Sequence, residues 1–160
     1  MQVALGGTFD PVHDGHRKLF SKAFSLGDVT VGLTSDELAS QTRFEERYFR
    51  PYSRRKQALD HELSKFAARY DRTYSIRKLT EPTGIATEQQ FDALVVSPET
   101  KEGGKKINEI RQEKGYDPLE IYVVDHVKAE DGDIISSTRI VNCEIDQHGN
   151  LLSQNTDTSQ

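Results

Sequence analysis

The chain of 160 residues is long enough for one domain with a proper core and too short for two, and its 26 acidic and 21 basic residues give a formal net charge of −5. This balance excludes a general nucleic-acid-binding surface, which needs a basic patch. The one cysteine, Cys143, allows no disulfide within the chain, and no apolar run approaches the roughly 20 residues of a membrane span. We expect no leader, because the sequence opens on an apolar run typical of a strand. We expect a cytoplasmic protein with no nucleic-acid or membrane partner.

The first predicted strand, Val3-Ala4-Leu5, ends in Gly6 and Gly7 and passes through a polar turn into a helix predicted over roughly 13–25. Glycines let the backbone come close to a ligand, and the free N–H groups and positive dipole end of the helix face the same place. Gly27 is expected to end the helix as a glycine stop. The stretch therefore predicts a phosphate site.

Two histidines at the start of this helix, His13 and His16, lie on one helical face and can reach a common ligand. Either histidine alone could equally be a solvated side chain or one that is hydrogen-bonded within the core. Zinc binding is also possible, but zinc proteases space their histidines four apart with a glutamate between, and no cysteine cluster is present here. The pair after the glycines favours phosphate over metal.

The rest of the chain alternates strands with helices. Strand 28–34 completes a parallel crossover unit, and a short helical turn follows at 36–38. The later elements are a helix from 51 to about 70 capped by Ser53, strand 74–79, a short helix at 85–91, strand 92–97, a helix from Thr100 to the stop at Gly115, and strand 119–124. Five strands in this order predict a single doubly wound α/β domain with a parallel sheet.

The arginine-rich segment 40–54 has aromatic residues between its charges. It could be a solvated flank of an active site or an RNA-binding strip. Glu45 and Glu46 dilute the positive charge, which favours the first interpretation.

Two further stretches are suited to anions. Ser97 and Glu99 follow a buried strand at its carboxyl end, where ligands bind in parallel sheets, although Thr100 could simply cap the next helix. Near the end of the chain, 136–139 is Ser-Ser-Thr-Arg at a predicted helix start, where N–H groups, hydroxyls and a guanidinium can all bind phosphate oxygens. Ser136 could equally be an ordinary N-cap.

Both motifs resemble a known superfamily. The decapeptide 7–16 is similar to the His-x-x-His signature of the nucleotidyltransferases, and Ile135-Ser136-Ser137-Thr138-Arg139 resembles their second signature. The segments 32–37, 95–100 and 103–108 look like the archaeal and eukaryotic type of phosphopantetheine adenylyltransferase. The resemblance covers nearly the whole folded chain and implies a Rossmann-like fold. It also implies transfer of AMP from ATP to 4′-phosphopantetheine, giving dephospho-coenzyme A and pyrophosphate.

The resemblance implies an in-line displacement in which the acceptor phosphate is the nucleophile, so the enzyme positions reactants and stabilises charge. Mg²⁺ would be bound mainly through the ATP phosphates, with no protein ligand. The implied residues are catalytic His16, His13, Thr8 and Arg139; nucleotide-binding Gly7, Thr8, Phe9, His13, His16, Ser97, Glu99, Ser136, Ser137, Thr138 and Arg139; and substrate-binding Thr8, Thr34 and Arg43.

One feature departs from the family pattern. Members often have a lysine shortly after the second strand, but 34–42 contains none, and Arg43 is the nearest cation. The motifs alone also leave other acceptors open, namely glycerol phosphate, nicotinamide mononucleotide and flavin mononucleotide. A nucleotide sensor without turnover is a further alternative, although intact His13, His16 and Arg139 argue against it.

The expected boundaries are a nucleotidyltransferase domain over 1–152 and a disordered polar tail over 153–160, because the tail residues cannot bury a core. Asp10 and Asp14 are interpreted as turn and helix-start residues. The expected assembly is a monomer or a small homo-oligomer.

Overall fold

The computed structural model describes residues 1–42, 49–81 and 84–152. Arg43 and the predicted tail 153–160 lie outside these ranges. The strands are β1 (Gln2–Gly7), β2 (Asp28–Thr34), β3 (Tyr74–Leu79), β4 (Ala93–Val96) and β5 (Glu120–Val123). The helices are α1 (Asp14–Leu26), α2 (Asp36–Thr42), α3 (Tyr52–Tyr70), α4 (Lys101–Glu113) and α5 (Ser137–Val141), with a 3₁₀ turn at Ile85–Thr87.

The five strands form one parallel sheet in the order β3-β2-β1-β4-β5. The chain therefore winds outward from β1 to β3, crosses back, and continues through β4 to β5 on the other side. This is the predicted doubly wound α/β sheet. The reversal of strand order falls between β1 and β4, where such sheets bind their ligands.

The alternation of side chains along each strand divides the core into two layers. Val3 and Leu5 pack with the buried faces of α1 and α3, whereas Ala4 packs with the 3₁₀ turn and α4 on the other face. At the centre of the first layer the Phe66 ring stacks with Phe24 and meets Phe20 edge to face. Both faces of the sheet are thus covered by helices, as a parallel sheet requires.

Two predicted helix details are wrong. Ser53 is not the cap of α3, because Pro51 occupies the N-cap position and Ser53 lies inside the helix. The expected helix over 85–91 is only a 3₁₀ turn. The buried Arg111 guanidinium, on α4, donates hydrogen bonds to the carbonyls of Ala86, Glu88 and Phe91. These carbonyls are therefore engaged by a side chain and not by helical N–H groups.

The helix α1 ends before Gly27 as predicted, but for another reason. Gly27 has an extended backbone with φ 174°, so no left-handed stop is formed. A Cβ at this position would collide with the carbonyl oxygen of Met1. The same oxygen accepts a hydrogen bond from the amide of Asp28. Gly27 therefore allows β1 and β2 to approach at the start of the sheet.

None of the helices in the described ranges combines the length and the apolar character of a membrane span.

We predict opposite effects for two glycine-to-alanine changes. Gly27→Ala should lower the free energy of unfolding by about 1–3 kcal/mol, because the new methyl group displaces Met1. Gly103→Ala is the matched control, since no described atom lies within 4 Å of a Cβ there and alanine favours the helix by about 0.5–1 kcal/mol. Urea unfolding measures both, and equal effects would contradict this account.

Candidate active site

A cavity of about 270 Å³ opens at the carboxyl ends of β1, β4 and β5. It lies at the reversal of strand order, where a βαβ sheet leaves a crevice. Its walls come from four regions of the chain: Gly6 and Gly7 at the end of β1, with Phe9 after it; His13, Gly15 and His16 at the start of α1; Val96 at the end of β4, with Ser97 and Glu99 after it; and Val124, Asp125, His126, Ser136 and Ser137 towards the end of the chain.

The two histidines cap α1 reciprocally. Nδ1 of His13 accepts a hydrogen bond from the Gly15 amide at 3.0 Å, and Nδ1 of His16 accepts one from the His13 amide at 3.2 Å. The arrangement is a capping box made of imidazoles. The rings stack with their centroids 3.8 Å apart. Because both Nδ1 atoms accept, a neutral ring must carry its proton on Nε2.

Both rings are neutral near pH 7. Burial lowers the pKa of His13 to about 4, with the Arg17 cation acting in the same direction and Asp14 opposing it. The pKa of His16 is well below its usual value because its ring is buried, and because His13 and Arg17 lie close by. The site thus presents two uncharged N–H donors beside a helix N-terminus, which suits an anionic ligand.

Neighbouring residues leave room for this pair. A Cβ at Gly15 would lie 2.8 Å from Cε1 of His13, so only glycine can both donate to His13 and leave room for its ring. A Cβ at Gly7 would lie 3.0 Å from the Phe9 ring, which stands edge-on to His16 at 4.9 Å between centroids. Phe9 has φ 49°, a strained conformation for a non-glycine residue. Both glycines therefore serve the packing of the site.

The hydroxyls of Thr8 and Thr34 are 2.9 Å apart. Thr34 ends β2 and is buried, while Thr8 is half-buried between Gly7 and Phe9. Neither threonine is among the described residues that line the cavity, although both neighbours of Thr8 are.

Only part of the second motif, residues 136–139, lines the cavity. Ser136 caps α5 by accepting from the Arg139 amide, and the Ser137 hydroxyl donates to the Pro11 carbonyl at 3.0 Å, which joins the two motifs. Ser136 and Ser137 line the cavity, whereas Thr138 and Arg139 do not. The Arg139 guanidinium instead pairs with Asp131 and Glu144.

Ser97 and Glu99 line the cavity, and three of the lining residues that were not predicted follow the last strand. Asp125, His126 and Val127 follow β5, and Nε2 of His126 lies 3.5 Å from Oε1 of Glu99. They obey the same rule as the residues after β1 and β4, so the end of the last strand was the signal that could have identified them. Thr100 makes no side-chain cap, and its hydroxyl accepts from the Ser97 amide.

The sequence matches the family described as cytidylyltransferase-like over residues 4–142. A phosphopantetheine adenylyltransferase from Methanosarcina barkeri is 47% identical over 153 residues, which cover 94% of this chain and 92% of that protein. Another from Archaeoglobus fulgidus is 43% identical over 154 residues, covering 95% of this chain and 100% of that protein.

A crystal structure from Archaeoglobus fulgidus, of a protein described as having unknown function, superimposes with a TM-score of 0.67. It is 39% identical in sequence and covers 78% of this chain and 90% of that one. On this evidence the chain belongs to the cytidylyltransferase-like family, and within it to the group of the archaeal phosphopantetheine adenylyltransferases.

Proposed function

We propose that this enzyme transfers the adenylyl group of ATP to 4′-phosphopantetheine, giving dephospho-coenzyme A and pyrophosphate. One observation carries the chemistry: two neutral histidines begin a helix at the reversal of strand order and line the cavity there. The relatives that share this chain over nearly its whole length are phosphopantetheine adenylyltransferases. The reaction is a step of coenzyme A synthesis, which we place in the cytoplasm.

In the proposed reaction an oxygen of the acceptor phosphate forms a bond to the α-phosphorus of ATP, and the bond to the bridging oxygen of the β-phosphate breaks. The acceptor is already ionised, so no strong base is needed. His16 would donate Nε2–H to the α-phosphate, with His13 supporting the triphosphate. A neutral donor that is already oriented stabilises the developing charge without reorganising.

The other proposed contacts have different structural settings. Gly7, Phe9, Ser136 and Ser137 line the cavity and are assigned to the nucleotide phosphates. Ser97 and Glu99 are assigned to the nucleoside side. For Arg139 to clamp the β- and γ-phosphates, its guanidinium must exchange Asp131 for a phosphate, and Thr138 would assist from the same turn. Arg43, proposed as the cation that bridges the two substrates, lies outside the described residues.

Mg²⁺ is proposed to arrive with ATP. This ion keeps water and phosphate oxygens as its main ligands. Within the described ranges no three histidine, cysteine, aspartate or glutamate side chains come together as a metal site. The ion would neutralise the leaving pyrophosphate, while the histidines and backbone amides of the chain hold the phosphates in place.

A second hollow suits the apolar arm of the acceptor. It has a volume of about 50 Å³ and is lined mainly by apolar side chains, including Leu79, Ile85 and Ile107. Gly6 lines both this hollow and the large cavity, so both spaces border the end of β1. We propose that part of the pantetheine arm enters this hollow while its phosphate faces the histidines.

The assignment is tested by pyrophosphate release from ATP and Mg²⁺ with each of four acceptors: 4′-phosphopantetheine, glycerol 3-phosphate, nicotinamide mononucleotide and flavin mononucleotide. Turnover with phosphopantetheine alone is the expected result. Turnover only with another acceptor would overturn the proposed substrate, and ATP binding without turnover would favour the sensor.

We expect His16→Ala to lower kcat by about 10²–10³-fold, because a single oriented donor to transition-state charge is worth that much. His61→Ala is the matched control, since His61 is exposed on α3. Wild-type turnover in His16→Ala would refute the assigned role.

The depressed pKa of His13 predicts how stability changes with pH. Between about pH 4 and 6.5 the unfolded chain binds the proton of His13 more readily, so the contribution of His13 to the free energy of unfolding rises with pH in this window and is constant above it. Acidification from pH 7 to 4 should cost the wild type about 3 kcal/mol more than His13→Asn, which retains a capping side chain. Parallel urea-unfolding profiles would contradict this.

Gly32→Ala should raise the KM for phosphopantetheine several-fold and leave the KM for ATP unchanged. Gly32 lines the hollow, and its Cβ would lie 3.4 Å from Leu79, an ordinary contact that fills space without strain. Steady-state kinetics with each substrate varied measures the split. Equal changes in both KM values would place the acceptor arm elsewhere.

A further inference from the structure

Arg55 is a fully buried cation on the apolar face of α3. Its five N–H groups each meet an acceptor: the carbonyls of Arg50, Thr8 and Thr34, the hydroxyl of Thr34, and the carboxylate of Asp36. A buried charge is tolerated only with such complete hydrogen bonding. The guanidinium thereby joins the carboxyl ends of β1 and β2, beside the phosphate site.

The contact between Arg55 and the Thr34 hydroxyl leaves Thr34 its own proton to donate. Arg55 can only donate, so Thr34 Oγ1 accepts from it at 3.3 Å. The other partner that the described residues provide for this hydroxyl is Thr8 Oγ1, at 2.9 Å. If Thr34 gives its own proton to Thr8, the proton of Thr8 is free for a third group. A cation at the head of such a chain polarises each hydroxyl in turn.

Thr8 is in the right place to use that proton. It stands between Gly7 and Phe9, which both line the cavity, and it is half-buried whereas Thr34 is buried. A phosphate has acceptors only, so its approach selects the arrangement in which Thr8 donates.

We propose that Thr34 is a positioning residue: its hydroxyl, which accepts from Arg55, donates to the Thr8 hydroxyl and holds it as a hydrogen-bond donor to the reacting phosphates. The identity of those phosphates rests on the proposed function. Arg55 itself touches no substrate, because its five donors are engaged by the chain.

A double-mutant cycle of Thr34→Val and Thr8→Val tests the relay, with Thr34→Ser as the rescue. Thr34→Val keeps the β-branched shape and should lower kcat about tenfold with the KM for ATP within twofold. Thr34→Ser should restore wild-type kcat. Thr8→Val should lower kcat about a hundredfold. The double variant should match Thr8→Val within twofold, since the Thr34 hydroxyl acts only through Thr8. Thermal unfolding confirms that each variant is folded.

Asp36→Asn is the control for a merely structural effect. It keeps an oxygen acceptor for Arg55 while removing the paired charge, so kcat should stay within twofold. Losses that multiply in the double variant, or wild-type kcat in Thr34→Val, would overturn the relay.

If the wild type releases no pyrophosphate with any acceptor, the proposed function fails and the relay is still tested. The same cycle is then measured in the Kd for Mg²⁺-pyrophosphate by calorimetry. Non-additive weakening by the two valine variants supports the relay there as well, and additive weakening or no binding by the wild type overturns it.

Discussion

The rest of the site depends on the reciprocal capping of α1 by His13 and His16. The two backbone-to-imidazole hydrogen bonds begin the helix and also determine the tautomer of each ring. Caps of this kind contribute about 1 kcal/mol to stability. Their larger effect is chemical, because burial keeps the rings uncharged and the caps leave Nε2–H as the only donor. One local structure therefore serves both folding and phosphate binding.

The sheet determines where this structure stands, and the end of the chain closes over it. β1 lies at the centre of the sheet, so its carboxyl end faces the crevice between diverging helices. The last described segment returns to the same place: the Asp14 amide donates to the Gln147 carbonyl, and His148 approaches the Asp14 carboxylate at 3.0 Å. Ser137 reaches Pro11. The two signature motifs, far apart in sequence, thus contact each other directly.

Much of this architecture is legible in the sequence. Five apolar runs separated by helical periodicity predict the sheet, and glycines and histidines after the first strand predict the position of the site. What local pattern could not supply is the set of contacts made between distant elements. Arg111 prevents a helix at 85–91 by donating hydrogen bonds to carbonyls of that segment. The nearby carbonyl of Met1 is the reason that position 27 is a glycine. Arg55 appears as one more charge in a basic segment, yet it is completely buried. The ion pair between Arg139 and Asp131 also depends on the tertiary fold and could not be predicted from local sequence.

The proposed phosphate binding depends on the neutrality of the histidine pair, and ¹⁵N NMR of the imidazole nitrogens tests this neutrality most directly. Spectra at pH 5.5 would be assigned with His13→Gln and His16→Gln variants, and His61 provides an exposed internal reference. We predict that both rings are neutral, with protonated Nε2 and unprotonated Nδ1. A cationic ring, or a proton on Nδ1 of either histidine, would contradict the account.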